Sequence, residues 1–354
     1  MQFSELIGQE GIKAHLQNAI QNDTVSHAYL FYGEAGMGKR TLARLFAQTI
    51  QCTDKQKKGV FPEPCGKCRA CIQAMNDTHP DIKILTPEKP ASIGVDDIRE
   101  QIVEDSYLMP FAAAKKIYLV PEAQKMTPQA QNALLKTLEE PPAYVTILLL
   151  SENENAFLPT ILSRVVQLPL RTVPDAAIRN YLMETCRVTD YRAHLAVQFA
   201  LGNIGRARML ALSDTFAERL RRTVGLLSDL NRMQIVRMNA VLHEILAIRE
   251  ETQEEEDAAL NKARARQAVS DFLQILTALC RDMLVYEACG RDDLLIFAGE
   301  MSYISKACES LSMADIARTL DDILQAEGQL RANGNADLIL QILLMNLKER
   351  IQKA

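Results

Sequence analysis

The sequence predicts an α/β protein whose first 170 residues form a parallel sheet and whose remainder is helical. Three observations support this prediction. Short apolar runs alternate with helical patterns up to about residue 170, a glycine-rich turn separates the first such pair, and almost everything from Pro174 onward has helical spacing. Strands separated by helices run parallel, with helices on both faces. The candidate strands are residues 28–32, 82–85, 116–120, 145–150 and 165–168.

Length and composition indicate a soluble protein with more than one domain. At 354 residues the chain exceeds one compact core, and its 48% apolar and 24% charged residues are ordinary for a globular protein. The formal net charge of -5 gives no global attraction to nucleic acid, so a DNA contact requires a local patch. The sequence has neither a membrane-spanning run nor a secretion signal. We therefore expect a cytoplasmic protein with reduced cysteines and no membrane partner.

The first candidate strand is followed by most of a phosphate-binding loop. The stretch Gly33-Glu34-Ala35-Gly36-Met37-Gly38-Lys39 fits seven positions of the pattern G-x-x-x-x-G-K-[ST], and a helical pattern begins at Thr41. Glycines let backbone N–H groups face a polyphosphate at the start of a helix, and the lysine reaches the outer phosphates. The eighth position, where a hydroxyl binds Mg²⁺, is Arg40. We expect ATP or ADP to fit, and Mg²⁺-dependent hydrolysis to be impaired.

A cluster of four cysteines follows this helix. It consists of Cys52, Cys65, Cys68 and Cys71, with the spacing C-x12-C-x2-C-x2-C. Four thiolates can surround Zn²⁺ tetrahedrally and leave no open coordination position, so the predicted metal is structural and not catalytic. Glycines and prolines between the first two cysteines predict a loop. The alternative is a set of free thiols that cluster without a metal.

The candidate strand at residues 116–120 ends in a second nucleotide-site signature. In a P-loop protein that hydrolyses ATP, an aspartate at this strand end assists Mg²⁺, and an adjacent acid can polarise the attacking water. Here Pro121 stands in the aspartate position, while Glu122 remains. Proline offers neither a charge nor an N–H group. Two metal-binding features, at Arg40 and Pro121, are therefore missing together, which favours weak or absent ATPase activity. The alternative is a glycine-rich turn that binds no nucleotide.

The remainder of the chain is predicted to be helical. Asn335 is placed to cap the last helix. The apolar stripe of that helix consists of Leu340, Leu344, Leu347 and Ile351. For the acidic run at residues 250–257, a mobile loop or the solvated start of a helix is a better interpretation than a binding site. Four cysteines outside the cluster are interpreted as small core residues, and they are Cys186, Cys280, Cys289 and Cys308.

These motifs resemble those of bacterial clamp loader subunits of the AAA+ class, which belong to the DNA polymerase III holoenzyme. The resemblance is carried by the phosphate-binding loop, the four cysteines and five further runs. Those runs are Ile7-Gly8-Gln9, His27–Phe31, His79-Pro80-Asp81, Asn132–Pro142 and Thr160–Arg164. The resemblance implies a RecA-like AAA+ domain over residues 1–170 with a zinc module at about 52–71. It also implies a helical lid over 171–214 and a helical collar for oligomerisation over 215–354.

Within this family, the ATP-hydrolysing gamma/tau subunits carry G-K-[ST] and an Asp-Glu pair. The chain departs at both positions, which is similar to the delta-prime subunit. The run Gly205-Arg206-Ala207 is likewise similar to the delta-prime form of the lid motif. Arg206 thus resembles the lid arginine that senses a bound nucleotide. A structural ion pair is the alternative for this residue.

The family's Ser-Arg-Cys motif is present as Ser163-Arg164-Val165, with its third position changed. The resemblance implies that Arg164 reaches across a subunit boundary to the γ-phosphate held by a neighbouring ATPase subunit. A guanidinium in this position stabilises the charge that spreads over the transferred phosphoryl oxygens. The alternative is an arginine paired with a local acid on the domain surface.

The resemblance implies a delta-prime-like subunit that acts in DNA replication as a stator of the clamp loader and is not an autonomous ATPase. The implied partners are gamma/tau-like ATPase subunits and a delta-like subunit in a pentameric ring, the sliding clamp, and primer-template DNA. One alternative is an active gamma/tau-like ATPase, in which Thr41 substitutes for the missing hydroxyl and Glu122 suffices as the acid that polarises water. Another is a zinc-bearing module that binds nucleic acid or protein beside a vestigial P-loop.

Overall fold

The structure, a computed structural model, describes residues 2–58, 61–248, 258–332 and 334–353. The chain forms two compact units. The first comprises Met1–Thr185 and Ala200–Arg208, and the second comprises Cys186–Phe199 and Met209–Ala354. The acidic run at residues 250–257 lies outside the described residues. The division into an AAA+ domain, a lid and a collar at residues 170 and 214 stays a prediction.

The first unit contains the predicted parallel sheet. The strands are β1 (Ala28–Tyr32), β2 (Gln56–Lys58), β3 (Phe61–Glu63), β4 (Ile82–Ile84), β5 (Lys116–Val120), β6 (Val145–Ser151) and β7 (Val166–Pro169). Five of them form one parallel sheet in the order β4-β5-β6-β1-β7. Each of these five matches a predicted strand to within a residue at either end. The predicted α/β fold class is confirmed.

Helices cover both faces of this sheet. They are α1 (Glu10–Gln21), α2 (Lys39–Gln51), α3 (Arg69–Met75), α4 (Val95–Ile98, continued by a π-helical segment, Arg99–Glu104), α5 (Pro128–Glu139), α6 (Pro159–Leu162) and α7 (Asp175–Glu184). Successive side chains of a strand point to opposite faces. Leu30 of β1 therefore packs in one core with Leu134 of α5, while the next residue, Phe31, packs in the other with Phe46 of α2.

The direction of the strands gives the sheet two distinct edges. Because all five strands run the same way, the residues that precede them lie at one edge, here called the amino edge. The residues that follow them lie at the other, the carboxyl edge. The P-loop follows β1 and lies at the carboxyl edge, whereas Arg164 precedes β7 and lies at the amino edge.

The remaining helices are α8 (Asp190–Ala200), α9 (Ile204–Leu212), α10 (Asp214–Asp229), α11 (Ile235–Leu246), α12 (Ala258–Cys289), α13 (Met301–Ser310), α14 (Met313–Arg331) and α15 (Ala336–Lys353). Among the described residues, no strand follows β7. Asn335 caps α15 as predicted, because its Oδ1 accepts a hydrogen bond from the Leu338 N–H at 3.2 Å. In the described part of the chain, no helix combines the length and apolar character needed to cross a bilayer.

Two details differ from the sequence prediction. The segment between the first two cysteines of the cluster was predicted as a loop, but it contains an antiparallel pair of short strands, β2 and β3. Pro62 is tolerated there because a two-stranded ribbon consists only of edge strands. Of the four cysteines interpreted as core residues, only Cys280 is buried, and Cys289 is exposed because it ends α12.

Candidate nucleotide and metal sites

The glycine-rich turn joins β1 to α2, which is the strand–loop–helix arrangement that a P-loop requires. Gly36 and Gly38 have φ angles of 86° and 90°, in the left-handed region that glycine adopts without a steric penalty. Gly38 is also the residue before α2 and caps its N-terminus. Gly33, with a φ of 147°, begins the turn directly after the strand. The turn can thus direct backbone N–H groups toward an anion.

Lys39 is engaged by the loop itself. Its Nζ donates hydrogen bonds to the carbonyl oxygens of Gly33 at 2.5 Å and Glu34 at 2.8 Å. Burial lowers the pKa of the Lys39 ammonium, while the nearby carboxylates of Glu152 and Glu34 oppose that shift. Because an ammonium has three N–H donors, a phosphate can bind the third or compete with these two carbonyl oxygens.

A segment far along the chain packs against the P-loop. Asn203 Nδ2 donates a hydrogen bond to the Ala35 carbonyl at 2.6 Å, and the Gly205 N–H donates to the Gly36 carbonyl at 3.0 Å. A Cβ atom on Gly205 would lie 2.5 Å from the Gly36 oxygen, so this approach requires glycine. Asn203 Oδ1 in turn accepts from the Arg206 N–H at 3.1 Å. Asn203 was not predicted as a site residue, although Gly202 and Gly205 on either side of it are a sequence signal for a close backbone approach.

The two positions that depart from the hydrolysing pattern belong to the same carboxyl edge. Arg40 and Thr41 are exposed in the first turn of α2, and Pro121 directly follows β5. Glu122 has a left-handed φ of 48°, and its carboxylate forms an ion pair of 3.0 Å with Lys125. The acid that remains therefore has a basic neighbour. The roles of Thr41 as a replacement for the missing hydroxyl and of Glu122 as the acid that polarises water stay predictions.

Arg164 lies at the amino edge, between α6 and β7. Its Nη2 forms an ion pair of 2.8 Å with Glu139, the last residue of α5. Its Nη1 donates hydrogen bonds to the Thr160 carbonyl at 2.9 Å and the Ser163 hydroxyl at 3.1 Å. The surface ion pair considered as the alternative is thus present, and it leaves the Arg164 side chain 35% exposed.

The length of one strand separates Arg164 from the P-loop of the same chain. β1 and β7 are paired neighbours, but the P-loop follows one and Arg164 precedes the other. A strand of five residues is about 16 Å long at the usual rise of roughly 3.3 Å per residue. Arg164 and a nucleotide held by this P-loop would therefore lie at opposite edges of one sheet.

The four predicted metal ligands converge on one point. The Cys52 and Cys68 Sγ atoms are 4.0 Å apart, as are those of Cys65 and Cys71, and all four atoms lie within 4.8 Å of one another. Tetrahedral Zn²⁺ with bonds of about 2.3 Å sets its sulfur ligands about 3.8 Å apart. The cluster is therefore able to hold a zinc ion.

Backbone N–H groups support the sulfur atoms as thiolates. The Cys65 N–H donates to Cys52 Sγ at 3.4 Å, the Cys68 N–H to Cys65 Sγ at 3.3 Å, and the Cys71 N–H to Cys68 Sγ at 3.4 Å. Burial raises the pKa of Cys68, but hydrogen bonds from Cys71 and Thr53 more than offset it and lower the pKa to about 6. Burial raises the pKa of Cys71, the most enclosed of the four thiols.

The fold and these two sites define a parallel α/β domain that has a P-loop-like turn after its first strand and carries a four-cysteine module. A sequence profile described as "DNA polymerase III, delta subunit" matches residues 8–174. The chain is also similar to DNA polymerase III subunit delta' of Bacillus subtilis (strain 168), with 27% identity over 337 residues, or 94% of each protein. The chain is therefore similar to clamp loader subunits of DNA polymerase III, over residues 8–174 by the profile and over nearly its whole length by the delta' subunit.

Two further similarities are to other subunits of DNA polymerase III. The gamma/tau subunit of Mycoplasma pneumoniae is 36% identical over 182 residues, which cover 51% of this chain and 26% of that protein. The crystal structure of a gamma subunit-related protein of DNA polymerase III from Thermotoga maritima superposes with a TM-score of 0.50. That superposition covers 95% of this chain and 99% of the other at 20% identity, so it supports the fold alone.

Proposed function

We propose that this chain is a delta-prime-like clamp loader subunit that supplies Arg164 in trans to the ATP held by a neighbouring gamma/tau-like subunit. The observation that carries the proposal is the separation of Arg164 from its own P-loop by the length of a strand. If Arg164 acts on a nucleotide, that nucleotide must be held by another subunit. The proposed ring also contains a delta-like subunit, and it loads a sliding clamp onto primer-template DNA.

The chain's own nucleotide site supports a positional role. A hydrolysing site places a hydroxyl and an acid around Mg²⁺. Here the hydroxyl position is Arg40, the acid position is Pro121, and Glu122 is paired with Lys125. We propose that the loop holds ATP or ADP at most without efficient hydrolysis, with Lys39 on the phosphates and Arg206 near the nucleotide. Zinc in the four-cysteine module has a structural role.

The ion pair with Glu139 does not prevent Arg164 from acting in trans. Exposed ion pairs contribute about 0–1 kcal/mol, because water screens them and both side chains lose freedom. A γ-phosphate carries more negative charge than a carboxylate and binds a guanidinium through two parallel hydrogen bonds. Glu139 and Ser163 therefore hold the Arg164 side chain at the surface, where it is 35% exposed. A phosphate that approaches can take the place of Glu139.

The test is DNA-stimulated ATP turnover of the assembled clamp loader with Arg164→Ala. An arginine supplied in trans contributes about 10³–10⁵ to the rate at the site it serves, so we expect turnover to fall sharply while the ring still assembles. Arg99→Ala is the matched control, because Arg99 is also a surface arginine of the first unit and pairs with Asp96 at 3.9 Å. Unchanged turnover with Arg164→Ala removes the proposed role.

The two alternative functions have distinct tests. Vigorous Mg²⁺-dependent hydrolysis by the isolated chain would support an active gamma/tau-like ATPase instead of a stator. Deletion of the cysteine module that abolishes DNA binding, with the rest of the chain still folded, would support a binding module with a vestigial P-loop. Neither result is expected from the arrangement of Arg164, Glu122 and Lys39.

A further inference from the structure

One short segment late in the chain contacts the P-loop at two successive carbonyl groups, those of Ala35 and Gly36. Asn203 donates to the first from its side chain at 2.6 Å, and Gly205 donates to the second from its backbone N–H at 3.0 Å. Both parts of the chain belong to the first compact unit, and Asn203 is buried. Because a buried polar group that loses its partner is costly, the two hydrogen bonds fix the orientation of both peptide groups of the loop.

Two glycines allow this close approach, one on each side of the contact. A Cβ atom on Gly36 would lie 2.6 Å from Asn203 Oδ1, and a Cβ atom on Gly205 would lie 2.5 Å from the Gly36 carbonyl oxygen. The pattern G-x-x-x-x-G-K leaves the position of Gly36 free. The contact with Asn203, together with the left-handed φ of 86°, therefore accounts for the glycine at this position.

The contact also determines where two N–H groups of the loop point. In a planar trans peptide, the C=O and N–H bonds point in opposite directions. The Ala35 carbonyl shares its peptide group with the Gly36 N–H, and the Gly36 carbonyl shares its peptide group with the Met37 N–H. Because both carbonyl groups face the segment with Asn203 and Gly205, both N–H groups point away from that segment.

The Met37 N–H and the Lys39 ammonium meet at one point. The Met37 N–H donates to the Glu34 carbonyl oxygen at 3.4 Å, and Lys39 Nζ donates to the same oxygen at 2.8 Å. A backbone donor and an ammonium thus converge on a single acceptor. A phosphate oxygen at this point would receive hydrogen bonds from both groups, which is how glycine-rich loops bind the phosphates of a nucleotide.

We propose that Asn203 and Gly205 are positioning residues for the phosphate chain of a bound nucleotide. They hold two carbonyl groups of the P-loop from one side and direct the N–H groups of Gly36 and Met37 toward the phosphates on the other. Both act through the loop backbone and need no contact with the nucleotide. The proposal rests on nucleotide binding by this loop, as proposed above. The ligand is a nucleoside di- or triphosphate, because such loops bind the α- and β-phosphates that both contain.

The first test separates the two hydrogen bonds of Asn203. Its Oδ1 caps α9 through the Arg206 N–H, while its Nδ2 holds the Ala35 carbonyl. Asn203→Ser keeps a capping oxygen, since Ser and Asn are similar as N-caps, but loses the amide donor. We expect the full chain with Asn203→Ser to bind a fluorescent ADP analogue about two- to tenfold more weakly, as the loss of one hydrogen bond predicts. Asn203→Asp, which has the same size and no donor when ionised, should bind at least as weakly.

Matched controls exclude general effects of substitution. Asn18→Asp adds the same charge at an exposed position of α1 in the same unit and should leave ADP affinity unchanged. Gly205→Ala should weaken ADP binding, because the added Cβ atom forces the segment away from Gly36. Gly11→Ala is its control, since a Cβ atom there would meet no neighbouring group within 4 Å. Wild-type ADP affinity in both Asn203 variants overturns the proposal.

Hydrogen exchange distinguishes a positioning role from a capping role. In the nucleotide-free chain, residues 33–38 should exchange faster in Asn203→Ser than in wild type. Helix α9 should keep its wild-type exchange rates, because its capping oxygen remains. Faster exchange in α9 with unchanged rates in residues 33–38 overturns the proposal, since Asn203 would then serve only as a helix cap.

The role of Arg164 is tested separately from this one. Absence of ADP binding by the wild-type chain overturns the proposal for Asn203 and Gly205, while turnover with Arg164→Ala still decides the role of the arginine. Weaker ADP binding by the Asn203 variants, together with unchanged turnover in Arg164→Ala, would support the positioning residues and remove the arginine's role.

Discussion

Asp105 connects three side chains near the amino edge of the sheet. Its carboxylate accepts hydrogen bonds from Lys83 at 2.6 Å and from the Tyr118 hydroxyl at 2.6 Å, and it pairs with Lys116 at 2.8 Å. Burial raises the pKa of Asp105, but these three donors together lower it below its ordinary value. Since the Lys116 side chain is nearly buried, loss of the carboxylate leaves an enclosed positive charge without its partner.

The lowered pKa of Asp105 predicts a pH dependence of stability. A carboxyl group with a lower pKa in the folded state stabilises the fold above its unfolded-state pKa, which is about 3.9. That stabilisation is lost as the pH falls through the folded-state pKa. We expect Asp105→Asn to lower the free energy of unfolding by about 3 kcal/mol at pH 7. The difference from wild type should narrow below about pH 4.

Urea unfolding followed by far-ultraviolet circular dichroism, repeated between neutral and acidic pH, provides the measurement. Asp96→Asn is the control, because Asp96 is exposed and its ion pair with Arg99 is long at 3.9 Å. Such a surface change should alter stability by no more than about 0.5 kcal/mol. A difference between wild type and Asp105→Asn that stays constant down to acidic pH would contradict the account of Asp105.

At the scale of elements, the cysteine module connects two helices through a short hairpin. Cys52 directly follows α2, and Cys68 and Cys71 belong to the start of α3. Helices of seven residues such as α3 are marginal by themselves, so their stability must come from contacts with other elements. A metal that joins both helix ends supplies that stabilisation.

Removal of zinc should destabilise the cysteine module locally and leave the central sheet unaffected. We expect the purified chain to contain about one zinc ion, measured by plasma mass spectrometry, and Cys65→Ser to lose it. Hydrogen exchange should then become faster in residues 52–75 and stay unchanged in the central strands. Cys289→Ser is the control, because Cys289 is exposed and lies outside the cluster. A metal-free wild-type chain with four freely reactive thiols would disprove the zinc assignment.

The elements were easier to predict from the sequence than the contacts between them. The runs 28–32 and 116–120 are apolar throughout, and each forms a strand with these bounds because a strand buried on both faces needs no polar alternation. The four cysteines were predictable because metal ligands have a characteristic spacing. The contact of Asn203 with Ala35 joins residues far apart in sequence. Such a contact cannot be predicted from the neighbouring sequence. The ion pair of Arg164 with Glu139 was not predictable for the same reason.

At the scale of the whole molecule, the first unit has the strand–loop–helix geometry of a P-loop, but it differs from the hydrolysing pattern at two positions. The first unit keeps the turn, the helix N-terminus and Lys39, while Arg40 and Pro121 replace the groups that bind Mg²⁺. The predicted domain division at residues 170 and 214, with a lid and a collar, remains a proposal.

Nucleotide binding without turnover is the expected behaviour of the isolated chain. We expect a fluorescent ATP analogue to bind with an affinity that Mg²⁺ leaves largely unchanged, and we expect no measurable hydrolysis, because Arg40 and Pro121 stand where a hydrolysing site has its Mg²⁺ ligands. The double variant Arg40→Thr/Pro121→Asp restores both ligand types and should make binding depend on Mg²⁺. Rapid hydrolysis by the wild-type chain that Lys39→Ala abolishes would contradict this prediction.

The placement of the P-loop and Arg164 at opposite edges of one sheet also gives the molecule a polarity. Contacts between two unlike surfaces cannot be reciprocated within a pair, so subunits that use them stack head to tail. Head-to-tail contacts close into a ring when the rotation between neighbours allows it, as in the ring proposed above, and every junction in that ring points the same way. If Arg164 acts in trans and the chain's own site does not hydrolyse ATP, as proposed, the junction at that site is the one where no arginine is needed for hydrolysis. The ring then has a defined starting point and a single direction.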